Sequence, residues 1–456
     1  MSSVAVPKKM VPVPNVYGVE SFKEIKPEMV ALHPIQHKNT SFTSGGVNRI
    51  SFKVPAYSNA LLDTSRSFLH MHLQASAKAL LAQGLPIFSR MVVKTSSGLT
   101  LEDISDMDVL SNMLSFLKPA DHVNGSTYGN FVAGTGTLSS GLGQLDVTGT
   151  HEAIFKFNWG IFDKKLTKFL PLFMADGGAG YAFDVDLYVS DIGLSLGAAN
   201  AVTTLVVKNP VWYLQLMRMD EGLARRFNQM AVSGEEIRIP FHTYHTHHAS
   251  VQANEQLVYI HENATNFKKI LTMLRTSQST RLCAGTIGNS TDGSVDNAAL
   301  QSPSGMEGGV DSDYKVTQYN YRVGVQHVYN EPVAEERTNT RTLQFVKQAF
   351  GIPDEQLTGL ELVSYPTEET NADSVTTPVF QRERWMAVAS FDYSPSDADV
   401  VQGISSSNPV ELDIKFSGTQ PVGATLLNYC ELGYDLVFRG GAVHYEEQKP
   451  GSQSVY

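Results

Sequence analysis

The chain has 456 residues, 42% of them apolar and 18% charged. That is a folded composition, and the length is enough for two or three cores. A net charge of −11 excludes a main body that coats a nucleic-acid backbone by itself, since phosphate binding needs clustered cations.

Residues 1–38 hold Pro7, Pro12, Pro14, Pro27 and Pro34 with no hydrophobic period, which predicts an extended arm with little regular structure. The opening MSSVAVPKKMVPVPNVYG lacks the apolar stretch of a signal peptide. Ile50, Phe52 and Val54 then alternate with Ser51 and Lys53, and Leu69, Met71 and Leu73 alternate with His70 and His72. Both patterns have the period of a half-buried strand.

Ile87 to Pro119 reads as a strand around Met91–Val93, a break at Ser96-Ser97-Gly98, and a helix. The helix is expected to begin at Thr100, with Asp103 in capping-box position. Ile104, Met107, Leu110, Leu114 and Leu117 follow at helical spacing, and Pro119 stops it. A Gly-rich loop occupies 121–150. Ala153–Phe157 and Phe169–Phe173 read as short strands, Phe183–Val189 alternates, and Val202–Val207 and Val211–Met217 complete the set. Asp220 to Met230 predicts a short helical connector, with Leu223 and Phe227 on one face and Gly234 at its end.

The second half repeats the pattern without repeating the letters. Ile237, Ile239 and Phe241 replay the first alternation, and Lys268–Arg275 replays the second. Tyr319, Tyr321, Val323 and Val325 alternate, Asn330 and Pro332 break the run, and Leu343, Val346 and Phe350 mark a helix ending at Gly351 and Pro353. Met386–Tyr393, Val410–Phe416 and Leu432–His444 are the remaining strands, and 284–313 is an added Gly/Ser/Asn-rich loop. Many short alternating strands, few helices and long polar loops predict an all-β chain of antiparallel sandwiches built twice. Eight strands or so per half suit a jelly roll better than a seven-stranded sandwich.

Chemistry is thinly supplied. In His242-Thr243-Tyr244-His245-Thr246-His247-His248, His245 and His247 share a face, as metal ligands on a strand can. A third ligand is not evident in sequence, so a solvated or interface-lining strand, a metal site and a pH-sensing role all stay open for 242–248. Asp184/Asp186 and Asp392/Asp397/Asp399 are carboxylate groupings that could serve glycoside hydrolysis. The first alternates with core residues at outward, solvated positions and the second lies in a turn, so surface roles are expected for both. Gly134-Thr135-Gly136 lacks the lysine and the strand–helix frame of a phosphate cradle. His151-Glu152 and His261-Glu262 each lack a second histidine nearby in sequence. Phe155, Phe157, Trp159, Phe162 and Phe169 are expected to pack in a core or between subunits. Neither catalytic, cofactor-binding nor metal residues are assigned.

Several stretches resemble a double jelly-roll major capsid protein of the tectivirus–adenovirus lineage, which includes polinton-like viruses, virophages and large nucleocytoplasmic DNA viruses. They are RMVVKTSSGLTLEDISDMDVLSNML, FKFNWGIFDKKLTKFLPLF, YNYRVGVQHVYNEPV with TLQFVKQAFG, GISSSNPVELDIKFSG and YDLVFRGGAV, together spanning roughly residues 40–446. The resemblance implies two consecutive eight-stranded jelly rolls with short helices in the strand connections. The corresponding division is an arm at 1–38, a first jelly roll at 39–220, a connector at 221–234, a second jelly roll at 235–446 and a tail at 447–456. It implies a structural, non-enzymatic role in the capsid of a double-stranded DNA virus, assembled inside the host cell as homotrimeric pseudo-hexagonal capsomers. Neighbouring capsomers, minor capsid proteins and penton proteins are the implied partners, with no cofactor and no specific nucleic-acid site. Loops 121–150 and 284–313 would form outer towers. The rival classes are a carbohydrate-binding or receptor-binding spike sandwich, which would expose clustered tryptophans, and a sandwich glycosidase, which needs two facing carboxylates.

Overall fold

The computed structural model describes residues 26–36, 41–77, 79–82, 84–117, 131–132, 143–145, 151–166, 168–175, 179–194, 203–262, 264–275, 282, 314–334, 340–356, 358, 385–391, 404–406, 409–420 and 423–447. The first half supplies eight principal strands. They are β1, in two pieces (Lys26–Leu32 and Ser41–Thr43), β2 (Arg49–Pro55), β3 (Ala60–Ala75), β4 (Phe88–Thr95), β5 (Thr100–Ser105), β6 (His151–Phe155), β7 (Tyr181–Val189) and β8 (Leu205–Arg218). They form two antiparallel sheets, in the orders β1-β8-β3-β6 and β2-β7-β4-β5. Helix α1 (Met107–Ser115) lies between β5 and β6 in the chain, and α2 (Glu221–Ser233) follows β8.

The second half supplies β9 (Ile237–Ser250), β10 (Glu255–Ile260), β11 (Ala264–Arg275), β12 (Lys315–Val323), β13 (Gln326–His327), β14 (Met386–Ser390), β15 (Val410–Ser417) and β16 (Thr425–Arg439), with α3 (Thr340–Ala349) between β13 and β14. Their sheets run β9-β16-β11-β14 and β10-β15-β12-β13. Counted within its own half, each set of eight has the order 1-8-3-6 facing 2-7-4-5. That is the jelly roll, two Greek keys folded into a two-layer sandwich. The helix sits between the fifth and sixth strands both times. The all-β expectation of two jelly rolls is therefore met strand by strand.

Alternation places the core. Ile50, Phe52 and Val54 of β2, Leu69, Met71 and Leu73 of β3, and Phe183, Val185 and Leu187 of β7 are fully buried, because period-two residues share one face of a strand. Trp212 on β8 meets Phe52, Phe157 and Phe162 at ring separations of 5.6, 5.5 and 4.9 Å. The aromatic run is therefore core. In the second half Tyr319, Tyr321 and Trp385 do the same work, with the Tyr321 hydroxyl donating to Thr272 at 2.8 Å.

Three expectations are corrected. Lys26–Leu32 is not loose arm: it pairs residue for residue with Arg218–Trp212 and forms the outer strand of the first sheet. Its one proline, Pro27, gives no interior conflict, since an edge strand tolerates a missing donor. Thr100–Ser105 is not the start of a helix. Gly98, at φ 89°, closes a hairpin in which Thr95 and Leu99 bond, and β5 pairs back onto β4. Ile104 fits both a strand and a helix period, and sheet pairing prevails over the local capping pattern. Phe169–Phe173 is not a strand either. Leu170 makes a single bridge to Leu62, and the chain then turns into a short 3-10 segment, Leu172–Ala175, beyond Pro171.

Val202–Val207 and Val211–Met217, read as two strands, belong largely to one, β8, which is bent at Asn209 (φ 46°) and Pro210, where the register with β3 shifts. Asp220 caps α2 by accepting from the Leu223 amide at 2.6 Å, and Gly234 follows it in the left-handed region (φ 74°).

Candidate functional site at the seam between the sandwiches

Strand β9 carries the histidine cluster, and it lies against β5 of the first half. The corner between β5 and α1 is what it grips. Asp106 holds a left-handed backbone (φ 50°) and makes no side-chain cap to α1. Its carboxylate is turned instead to His248 Nε2 at 2.8 Å. The Tyr429 hydroxyl donates to the Asp106 carbonyl at 3.2 Å, and the Thr246 hydroxyl donates to the Ser105 carbonyl at 3.0 Å. Three side chains of the second sandwich thus converge on two residues of the first. The bond to Asp106 holds the His248 imidazole above its usual pKa.

A second contact lies deeper. The Gly160 amide donates to the His242 carbonyl at 2.7 Å, and the next amide, Ile161, donates to the Glu102 carboxylate at 2.9 Å. Glu102 comes from β5 and is buried. Burial pushes its carboxyl up to about 7, against the pull of the Ile161 N–H. Gly160 has φ 77°, and a Cβ there would stand 2.4 Å from Glu102 Oε1. Glycine is required twice over, for the conformation and for the approach. Lys168 closes the same edge by donating to the Arg238 carbonyl at 3.3 Å.

The four histidines fall into three environments, with His248 on Asp106 as above. His245 Nδ1 and His247 Nε2 lie 3.1 and 2.8 Å from the two oxygens of Glu262. Burial works against ionising Glu262, but the bonds from both rings outweigh it and hold the carboxyl down at about 2. His242 is half-buried, and desolvation with Lys268 alongside holds it down at about 4. Next to it on β16, Glu431 accepts from the Tyr244 hydroxyl at 3.0 Å. Burial opposes its charge, yet Lys269, 3.8 Å away, and the neighbouring His242 keep its pKa below the ordinary value.

The remaining sequence candidates scatter. Asp186 is not an outward, solvated position: it is buried under Arg49 (2.7 Å) and Ser51 (2.6 Å), both on β2. Asp392, Asp397, Asp399 and Gly134-Thr135-Gly136 lie outside the described residues, as do 284–313 and most of 121–150. All three tryptophans, Trp159, Trp212 and Trp385, are buried, so none builds an exposed stacking groove. Glu152 and Glu262 do have histidine neighbours, although neither His-Glu pair has the second histidine of a His-Glu-x-x-His motif. His70 and His72 reach Glu152 from the paired strand β3, whereas His245 and His247 of β9 meet Glu262 in the turn between β10 and β11. Among the described residues, no helix is long and apolar enough to cross a membrane.

No protein-family model and no curated protein sequence matches the chain. Solved structures do. The crystal structure of PBCV-1 VP54 fitted into a reconstruction of the virophage Sputnik is similar over 93% of this chain and 97% of that one, with 11% identity and a TM-score of 0.57. The quasi-atomic PBCV-1 virus capsid is similar over 93% and 97%, with 10% identity and a TM-score of 0.56. The cryo-EM structure of the Sputnik virophage is similar over 98% and 95%, with 10% identity and a TM-score of 0.51. Identity this low shows architecture, and nearly the whole length of each chain takes part. The polypeptide therefore has the fold of these viral capsid structures, a double jelly roll running through one chain.

Proposed function

We propose that the protein is the major capsid subunit of a double-stranded DNA virus, residing in the virion and acting as a building block rather than a catalyst. The observation that carries this reading is the repeated strand order, 1-8-3-6 facing 2-7-4-5 in both halves, held side by side by the seam. Two like sandwiches per chain, taken three times about an axis, give six near-equal sides, and a head-to-tail interface of this kind closes into a ring. The homotrimer would be the pseudo-hexagonal tile of an icosahedral shell, meeting neighbouring tiles, minor capsid proteins and penton proteins at its sides. The chain divides for this purpose into the first sandwich, the α2 connector and the second sandwich.

Light scattering on the purified full chain tests it. The expected particle is three times the 49.9 kDa chain mass, with hexagonal outlines in negative stain, or closed shells. A stable monomer that binds or cleaves glycans would overturn the reading.

A further inference from the structure

On the outer face of the first sheet, away from the seam, His70 and His72 of β3 and Glu152 of β6 stand together. Residues two apart on a strand share a face, so the two imidazoles are neighbours, with ring centroids 5.4 Å apart. Glu152 is the direct cross-strand partner of His72 and the diagonal neighbour of His70. One carboxylate oxygen lies 3.7 Å from His72 Nε2 and the other 4.0 Å from His70 Nε2. The three ligand atoms fall within 4.8 Å of one another.

We propose that these three residues form a binding site for a divalent transition ion of the zinc class. The donor set, two imidazoles and a carboxylate, is the one that borderline ions prefer over magnesium or calcium, which take oxygen. A tetrahedral ion at ordinary Zn–N and Zn–O lengths separates its ligand atoms by about 3.4 Å. Spacings of up to 4.8 Å must contract by up to about 1.4 Å to reach that value, a shift that χ rotations on two half-buried histidines and an exposed glutamate can supply. The two strands are locked in register by the sheet, so the donors are held together before any ion arrives. The fourth position faces solvent and is water's. On the other side of β3, Lys208 of β8 is the cross-strand partner of His72.

The test is calorimetric titration of the full chain with ZnCl2, paired with Co2+ absorption. Expected is saturable binding at a site that shows the visible band of tetrahedral Co2+. His72→Ala and Glu152→Gln should each weaken it about ten-fold or more. A His245→Ala/His247→Ala double variant should leave it intact, which separates the site from the other histidine pair. Glu152→Gln preserves side-chain shape on a solvent face, so loss of binding there reports coordination rather than misfolding. Absence of saturable binding, binding indifferent to both β3–β6 variants, or binding lost only in the 245/247 variant would overturn the proposal.

Discussion

At the scale of single residues, Gly160 and Glu102 constrain each other. Adding a methyl group at Gly160 forces a Cβ into the Glu102 carboxylate and a side chain into a left-handed backbone. Gly160→Ala should therefore lower unfolding stability by about 2–4 kcal/mol, read from the urea midpoint. Glu102 gives a pH-dependent partner to that experiment. Its carboxyl sits at about 7 in the folded chain, above the ordinary 4.5, so folding favours the protonated form. The cost of ionising it is absent below the unfolded value, grows as pH rises from there, and is complete above the folded one. Glu102→Gln keeps an acceptor for Ile161 and cannot ionise. It should stabilise the protein by up to about 3 kcal/mol near pH 8 and have almost no effect near pH 4. Equal effects at both pH values would refute this account of Glu102. None of it was legible in the sequence, where Glu102 is one of several acids in LEDISDMD. Its burial arises from a chain segment 59 residues away.

At the scale of elements, the strand alternations were legible because each strand has one wet and one dry face, and that leaves a period-two trace. The failures were at places where two patterns compete. In Thr100–Ser105 the capping-box motif points to a helix, and the hairpin at Gly98 decides for the strand. Asp103 distinguishes the two readings. As a helix cap its removal would cost about 1 kcal/mol. As the exposed partner of Arg90 on β4 it should matter little. Asp103→Ala is expected to change stability by less than about 0.5 kcal/mol, and a full cap-sized loss in a denaturant titration would favour the helix. The histidine strand β9 shows the other limit. Its period put His245 and His247 on one face, but their acid, Glu262, comes from the chain just past β10. Likewise, the His70–His72 alternation and the Glu152 that answers it were both visible, with nothing in sequence to say that β3 and β6 are neighbours.

At the scale of the whole molecule, the duplication was legible as repeated order rather than repeated letters, and the sheet topology bears that order out in both halves. The seam was not. It is made by backbone carbonyls at Ser105, Asp106 and His242 and by a turn at Gly160, groups every residue owns and no composition reveals. The trimer measurement belongs to this scale, since it asks whether the two-sandwich unit closes about a three-fold axis.

The two sandwiches differ at their first strands. The first begins with a strand in two pieces, interrupted between Leu32 and Ser41, whereas its counterpart β9 runs unbroken for 14 residues. Three chains placed around an axis would therefore present flanks of two alternating sorts. Such a polygon has a sense of direction, because its sides are of two kinds. Rotation by one sixth of a turn becomes distinguishable from rotation by one third.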